Sequence, residues 1–206
     1  MRWNTFKEKA INLLIIDKKT FKNLENSESA LDYNIKYWLK TGKIIKLKNG
    51  TYIIKAKWDT EKDKGVYLEY IANQMLSPSY ISLEYVLSKY QLLTEAPTTI
   101  TSITTKSGRS FANKLTTFNY YSISEKLFTG YKTEKFRNAF VNIASKEKAL
   151  FDFLYFQFLQ KEPNKQKIDN LRINWENITE KELKRSQQFC KLTKNRNIKK
   201  IFEIIC

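Results

Sequence analysis

The chain has 206 residues, 42% of them apolar and 14% aromatic, enough to fill a packed core and too much for a disordered chain. It carries 37 Lys and Arg against 21 Asp and Glu, a formal charge of +16, and no histidine. The missing imidazole removes the commonest general base, the usual metal ligand and the Ser-His and Cys-His nucleophile pairs.

The charge is uneven. Residues 1–57 hold 13 Lys and Arg against 5 Asp and Glu, residues 58–160 hold 12 against 10, and residues 161–206 hold 12 against 6. Two basic ends around a nearly neutral middle point to a polyanion at one end. No apolar run approaches the ~18 residues of a membrane span and there is no signal-peptide pattern, so a cytoplasmic protein without a membrane partner is expected. Cys190 and Cys206 have no metal-ligand spacing and are expected as reduced thiols. The Gly-rich phosphate-cradling loops and HExxH are absent, so no cofactor and no metal are implied.

In chain order, Thr5-Phe6-Lys7-Glu8 reads as a capping box opening a first helix, with Phe6, Ala10, Leu13 and Leu14 as its apolar stripe. Thr20 caps a short second helix through Phe21 and Leu24. A third helix starts at Asn26 or Ser27 and runs to about Lys40, stopped by Gly42. Leu31, Ile35, Trp38 and Leu39 form its buried stripe, and at 100° per residue Ser29, Tyr33, Lys36, Tyr37 and Lys40 fall opposite. Hydroxyls, amphipathic rings and cations are the groups that donate to phosphates and base edges. Lys43–Lys55 follows as a hairpin about Asn49-Gly50, a pair suited to a type I′ turn. A two-residue loop puts Ile45, Leu47, Tyr52 and Ile54 on one face and Lys46, Lys48, Thr51 and Lys55 on the other, with Ile44 and Ile53 beside them. That ribbon is either the basic wing of a winged helix-turn-helix or an ordinary hairpin with a solvated lysine face. Its position after three helices favours the wing.

Trp58–Gly65 reads as a linker. Val66–Leu76 reads as a helix with Val66, Tyr70, Ile71 and Met75 inward, stopped before Pro78. Ser82 caps a short helix to Tyr90, Thr98–Thr105 is a strand, Ser107-Gly108-Arg109 turns the chain, and Phe118–Ile123 and Thr133–Ile143 are further strands. Ser145 caps a helix through Leu159 that is apolar nearly all round, with Asp152 as its one internal acid. Asp152 is either a catalytic or partner-contacting carboxylate or, on the cost of burying an unpaired charge, the structural partner of a nearby cation or amide. Thr179–Glu182 is a second capping box, opening a helix through Leu183, Phe189 and Cys190. Ile198, Ile201, Phe202 and Ile205 mark a last amphipathic helix that packs on the second domain. The fold class expected is α+β: a winged helix-turn-helix over 1–57, a linker over 58–65, and a mixed α/β domain over 66–206 with a helical tail from about 163.

Three blocks carry a family resemblance: YISLEYVLSKYQLLTEAPTTITSITTK at Tyr80–Lys106, FTGY at Phe128–Tyr131, and IASKEKALFDFLYF at Ile143–Phe156. With LKTGKIIKLKNGTYII at Leu39–Ile54 ahead of them, the chain resembles the AbiEi-type antitoxins of bacterial type IV toxin–antitoxin (abortive infection) systems over roughly residues 5–160. The resemblance implies a non-catalytic protein whose N-terminal part binds inverted repeats in double-stranded promoter DNA and represses its operon. Its C-terminal part opposes a nucleotidyltransferase-like toxin encoded nearby. Here Ser145 stands where relatives often have Thr-Pro, and the tract after Thr105 is less basic than in many of them. Two other readings stand beside it: a stand-alone winged-helix regulator whose C-terminal domain senses a ligand or protein, and an enzyme acting on nucleic acid through Asp152, Glu147 and Glu134.

Overall fold

The computed structural model describes residues 2–24, 27–95 and 97–205. Helices and strands are mixed, and the strands form one three-stranded and one six-stranded sheet.

The N-terminal part runs α1 (Trp3–Ala10), β1 (Ile16–Asp17), α2 (Lys18–Leu24), α3 (Glu28–Lys40), β2 (Ile44–Lys48) and β3 (Thr51–Ile54), with sheet order β1-β3-β2. Aromatic rings fill its core: Phe6 stacks on Trp38 at 4.6 Å and on Phe21 at 5.0 Å between centroids. Thr5 does not cap α1, which begins two residues earlier after Arg2 without a side-chain cap. Phe6 and Ala10 are buried as their spacing requires, but the helix stops at Ala10, so Leu13 and Leu14 leave the stripe. Thr20 is likewise inside α2 and not its cap. Asp17 accepts from Thr20 N at 2.6 Å and from Thr20 Oγ1 at 2.8 Å. Those bonds hold the Asp17 carboxyl below its ordinary value. Ser27 caps α3, accepting from Ala30 N; the alternative start at Asn26 lies outside the described residues, as does Cys206. At the other end Gly42 takes φ +67, a left-handed position that lets Lys43 N reach back to Trp38 O at 2.8 Å.

The stretch expected as a linker is built into the structure. Its first residues complete α4 (Lys55–Thr60), and α5 (Lys64–Met75) begins only three residues later. Lys57 is 8% exposed, and its ammonium donates to Ile11 O and Leu13 O, both at 3.1 Å, which satisfies carbonyls beyond the end of α1. Glu61, 7% exposed, takes Arg137 Nη2 at 2.6 Å. In α5 the buried residues are Tyr67, Ile71, Ala72 and Met75, with the polar Glu69 and Asn73, while Val66 and Tyr70 are only partly covered.

The larger sheet comprises β4 (Ser79–Ile81), β5 (Thr99–Thr104), β6 (Arg109–Ala112), β7 (Thr117–Ser122), β8 (Tyr131–Phe136) and β9 (Ala139–Ala144), in order β6-β7-β5-β4-β9-β8. The β4–β9 and β5–β7 pairs are parallel and the rest antiparallel. Thr133–Ile143 is two strands, reversed by a turn in which Arg137 takes φ +57. One face of the sheet meets α5, where Tyr120 donates to Ala72 O at 2.6 Å. The other meets α6 (Leu83–Lys89) and α7 (Lys146–Phe158), the latter capped by Ser145 as expected. After α8 (Lys165–Asp169), the Thr179–Glu182 capping box opens α9 (Glu180–Gln188). Phe189 and Cys190 fall in a 3₁₀ turn beyond it. Finally α10 (Arg196–Ile205) buries Ile198, Ile201 and Phe202 against α7.

The buried apolar residues form two clusters, and they do not divide at the linker. The smaller is wholly N-terminal, whereas Leu14, Ile45, Leu47 and Ile53 belong to the larger one with the second sheet.

Candidate nucleic-acid interface

α3 places its polar residues as the 100° rotation requires. With Leu31, Ile35 and Trp38 buried, Ser29, Tyr33, Lys36, Tyr37 and Lys40 are all exposed, Tyr33 at 69% and Tyr37 at 47%. Lys43 Nζ lies 5.6 Å from the Tyr37 ring centroid and 5.3 Å from that of Trp3, which adds a cation at the C-terminal end of the face. Lys18 Nζ meets Asp32 at 3.5 Å and ties α2 to α3.

The hairpin differs from its expected register. Lys48 faces Thr51, but Lys46 faces Tyr52, Ile45 faces Ile53 and Ile44 faces Ile54, because a bulge between Lys46 and Lys48 takes up Leu47. One inserted residue moves every later side chain to the opposite face. Of the turn pair, Gly50 alone enters the left-handed region, at φ +73, so the turn is not type I′. The consequence is a hairpin apolar on both sides. Ile44, Tyr52 and Ile54 pack on the aromatic core, and Ile45, Leu47 and Ile53 pack on the second sheet's core.

The expected basic face therefore does not form. Lys46 is exposed, but Thr51 is 8% exposed and faces protein. Lys48 is half-buried, with Nζ donating to Met75 O at 2.6 Å. Lys55 opens α4 and pairs with Asp59 at 2.6 Å. Of the nine residues the sequence singles out, the structure brings together Ser29, Tyr33, Lys36, Tyr37 and Lys40, with Lys46 beyond them, and turns Lys48, Thr51 and Lys55 to other partners.

What the hairpin loses in lysines, a neighbouring strand supplies. β6, an edge strand of the larger sheet, lies along β2, and Asn113 Nδ2 donates to Leu47 O at 3.1 Å across the gap. Between them runs a groove of about 780 Å³ lined by Lys46, Lys48, Arg109, Lys114 and Phe111, with no carboxylate in its walls. Leu39, from the last turn of α3, is also a wall, so the groove reaches that helix, although none of the helix's five polar-face residues lines it. Lys48 shows the electrostatics: its ammonium is pushed below its ordinary value first by burial, then by the like charges of Arg109 and Lys106. An anion in the groove would relieve that repulsion. Sequence reasoning missed Arg109 and Lys114 because they lie about 60 residues downstream of the hairpin, and no local pattern marks them.

The three carboxylates of the enzymatic reading do not converge. Glu147 pairs with Arg185 and Glu134 with Lys132. Asp152 is fully buried, bound by the Lys148 ammonium, by Ser82 Oγ at 2.8 Å and by Tyr80 OH at 3.0 Å. Among the described residues no group of three or more potential ligands could hold a metal ion, and no helix is long and apolar enough to cross a membrane. No protein-family model matches the chain, and no curated protein matches it.

Proposed function

We propose that the chain is a winged-helix DNA-binding repressor and the antitoxin of a type IV toxin–antitoxin pair. The observation that carries the DNA-binding part is the exposed α3 face, Ser29, Tyr33, Lys36, Tyr37 and Lys40, and beside it stands a groove that has four cations and no carboxylate among its described walls and that reaches α3 at Leu39. The element order α1-β1-α2-α3-β2-β3 and a helix with its polar side outward fit a recognition helix lying in the major groove. Lys36, Lys40, Lys46, Arg109 and Lys114 are assigned to phosphates, and Ser29, Tyr33 and Tyr37 to base edges and sugars. The antitoxin part rests on the three sequence blocks, with a nucleotidyltransferase-like toxin as the implied partner.

Two assays test the two parts separately. In gel shifts on the DNA upstream of its own gene, Tyr33→Ala is expected to lose discrimination between promoter and random DNA, and Lys36→Ala with Lys40→Ala to weaken both. Equal binding of promoter and random DNA by the wild type would refute the repressor. Co-expression with the neighbouring gene tests the antitoxin: restored growth is expected, and no rescue by the full chain removes that reading. A stand-alone regulator would then remain, marked by the absence of a nucleotidyltransferase-like gene next to this one.

A further inference from the structure

A second cavity lies away from the basic groove, in the layer where α6 and α7 cover the larger sheet. Its volume is about 450 Å³, within the size range of small-molecule sites. Leu93, Phe153 and Leu171 give it apolar walls, Glu84 and the exposed Glu95 bring carboxylates to it, and the exposed Arg172 brings a guanidinium.

Glu84 accepts from its own backbone N–H but keeps one carboxylate oxygen without a partner, and the exposed Arg172 has no ion-pair partner among the described residues. Glu84 sits in the first turn of α6, straight after Leu83, whose φ of +61 is a left-handed conformation uncommon for a γ-branched residue. Its Oε2 is buried and has no hydrogen-bond partner among the described residues. A buried carboxylate oxygen without a donor costs free energy that a ligand N–H would recover. Burial accordingly pushes the Glu84 carboxyl above its ordinary value. Arg172, held at φ +51 by the turn that closes α8, makes no ion pair with a described residue. The unpartnered oxygen of Glu84 and the guanidinium of Arg172, in one cavity with Leu93, Phe153 and Leu171, complement a ligand with an ammonium, a carboxylate and an apolar body.

From the cavity, the unpartnered Glu84 oxygen and the unpaired Arg172, we infer that this site binds a small zwitterion with an apolar side chain, the class of the free aliphatic and aromatic α-amino acids. Glu84 takes the ammonium and Arg172 the carboxylate, while Leu93, Phe153 and Leu171 contact the side chain. The inference does not rest on the DNA-binding reading.

The test is calorimetric titration of the full chain with leucine, valine, methionine and phenylalanine. Isoamylamine and isocaproate, which are leucine without its carboxylate and leucine without its ammonium, serve as the single-charge probes. Saturable binding of at least one amino acid is expected. Glu84→Gln and Arg172→Ala should each weaken it about tenfold or more, the size of losing one charge-assisted hydrogen bond. Isoamylamine should bind more weakly and be indifferent to Arg172→Ala. Unfolding midpoints of both variants, measured alongside, separate lost binding from lost folding; Phe153→Trp, which narrows the cavity and keeps its charged groups, should also weaken binding. No saturable heat with any probe overturns the inference. So does binding unchanged by Glu84→Gln and Arg172→Ala, or isoamylamine binding as tightly as leucine.

Discussion

Removing Arg109 and Lys114 from the edge of the larger sheet is the sharpest test of the proposed interface, because both are exposed side chains far in sequence from α3, the helix proposed to read DNA. Five cations are assigned to phosphates: Lys36, Lys40, Lys46, Arg109 and Lys114. Each phosphate neutralised adds about 0.9 to the steepness of log affinity against log salt, so the wild type should show a slope of about −4.5 and Arg109→Ala with Lys114→Ala about −2.7. Between 50 and 200 mM salt, a fourfold change, this is about 500-fold loss of affinity for the wild type and about 40-fold for the variant. The assay is fluorescence anisotropy on a labelled promoter duplex across that salt range, with thermal unfolding as a control. A slope unchanged to within about 0.5 would show that no phosphate enters the groove, and would return DNA binding to the N-terminal part alone.

Three further outcomes follow from the packing. Lys148 and Asp152 are both fully buried, so Lys148→Met strands a charge and should cost about 3–5 kcal/mol, whereas adding Asp152→Leu should restore much of it; urea denaturation measures both. Residues 1–57 alone would expose Leu14, Ile45, Leu47 and Ile53, about 6–12 kcal/mol of burial at 1.5–3 each, which rivals the stability of a small domain. That fragment should show no cooperative unfolding by circular dichroism. Glu182 is held below its ordinary value of 4.5, first by Thr179 N–H and then, against burial, by Lys146 and the Thr179 hydroxyl. A lowered folded-state value means the contribution is present above the unfolded value and disappears as pH falls through the folded one. Glu182→Gln should therefore cost about 1 kcal/mol at pH 7 and flatten the acid-side decline in stability below about pH 4.5, followed by denaturant midpoints against pH.

Much of the local structure was legible because its causes are local. The α3 polar face follows from a 3.6-residue period acting on Leu31, Ile35 and Trp38. Gly42 ends α3 through its own conformational freedom, and Ser145 and Thr179 cap helices whose amides lie within three residues. Caps failed where a competitor stood nearby. Asp17 displaced Thr20, and Ser82 turned its hydroxyl to Asp152, 70 residues away, rather than to its own helix. β4 escaped notice because three residues between Pro78 and Ser82 carry no period; it exists because β5 and β9 pair with it.

By itself the sequence determined a basic, histidine-free chain with an aromatic core, a capped helix showing tyrosine and lysine, and a hairpin after it. Only the tertiary structure decided how the hairpin packs. A single bulge at Leu47 changes which residues share a face: Ile53 joins Ile45 and Leu47 against the second sheet, and Ile44 joins Tyr52 and Ile54 in the aromatic core. Strand register is set by what each face packs on, and half of those contacts come from residues beyond position 66. The cations of the groove are shared across the fold for the same reason. Lys46 and Lys48 come from one end of the hairpin, and Arg109 and Lys114 arrive only when β6 pairs on the edge of a sheet the first 57 residues do not contain.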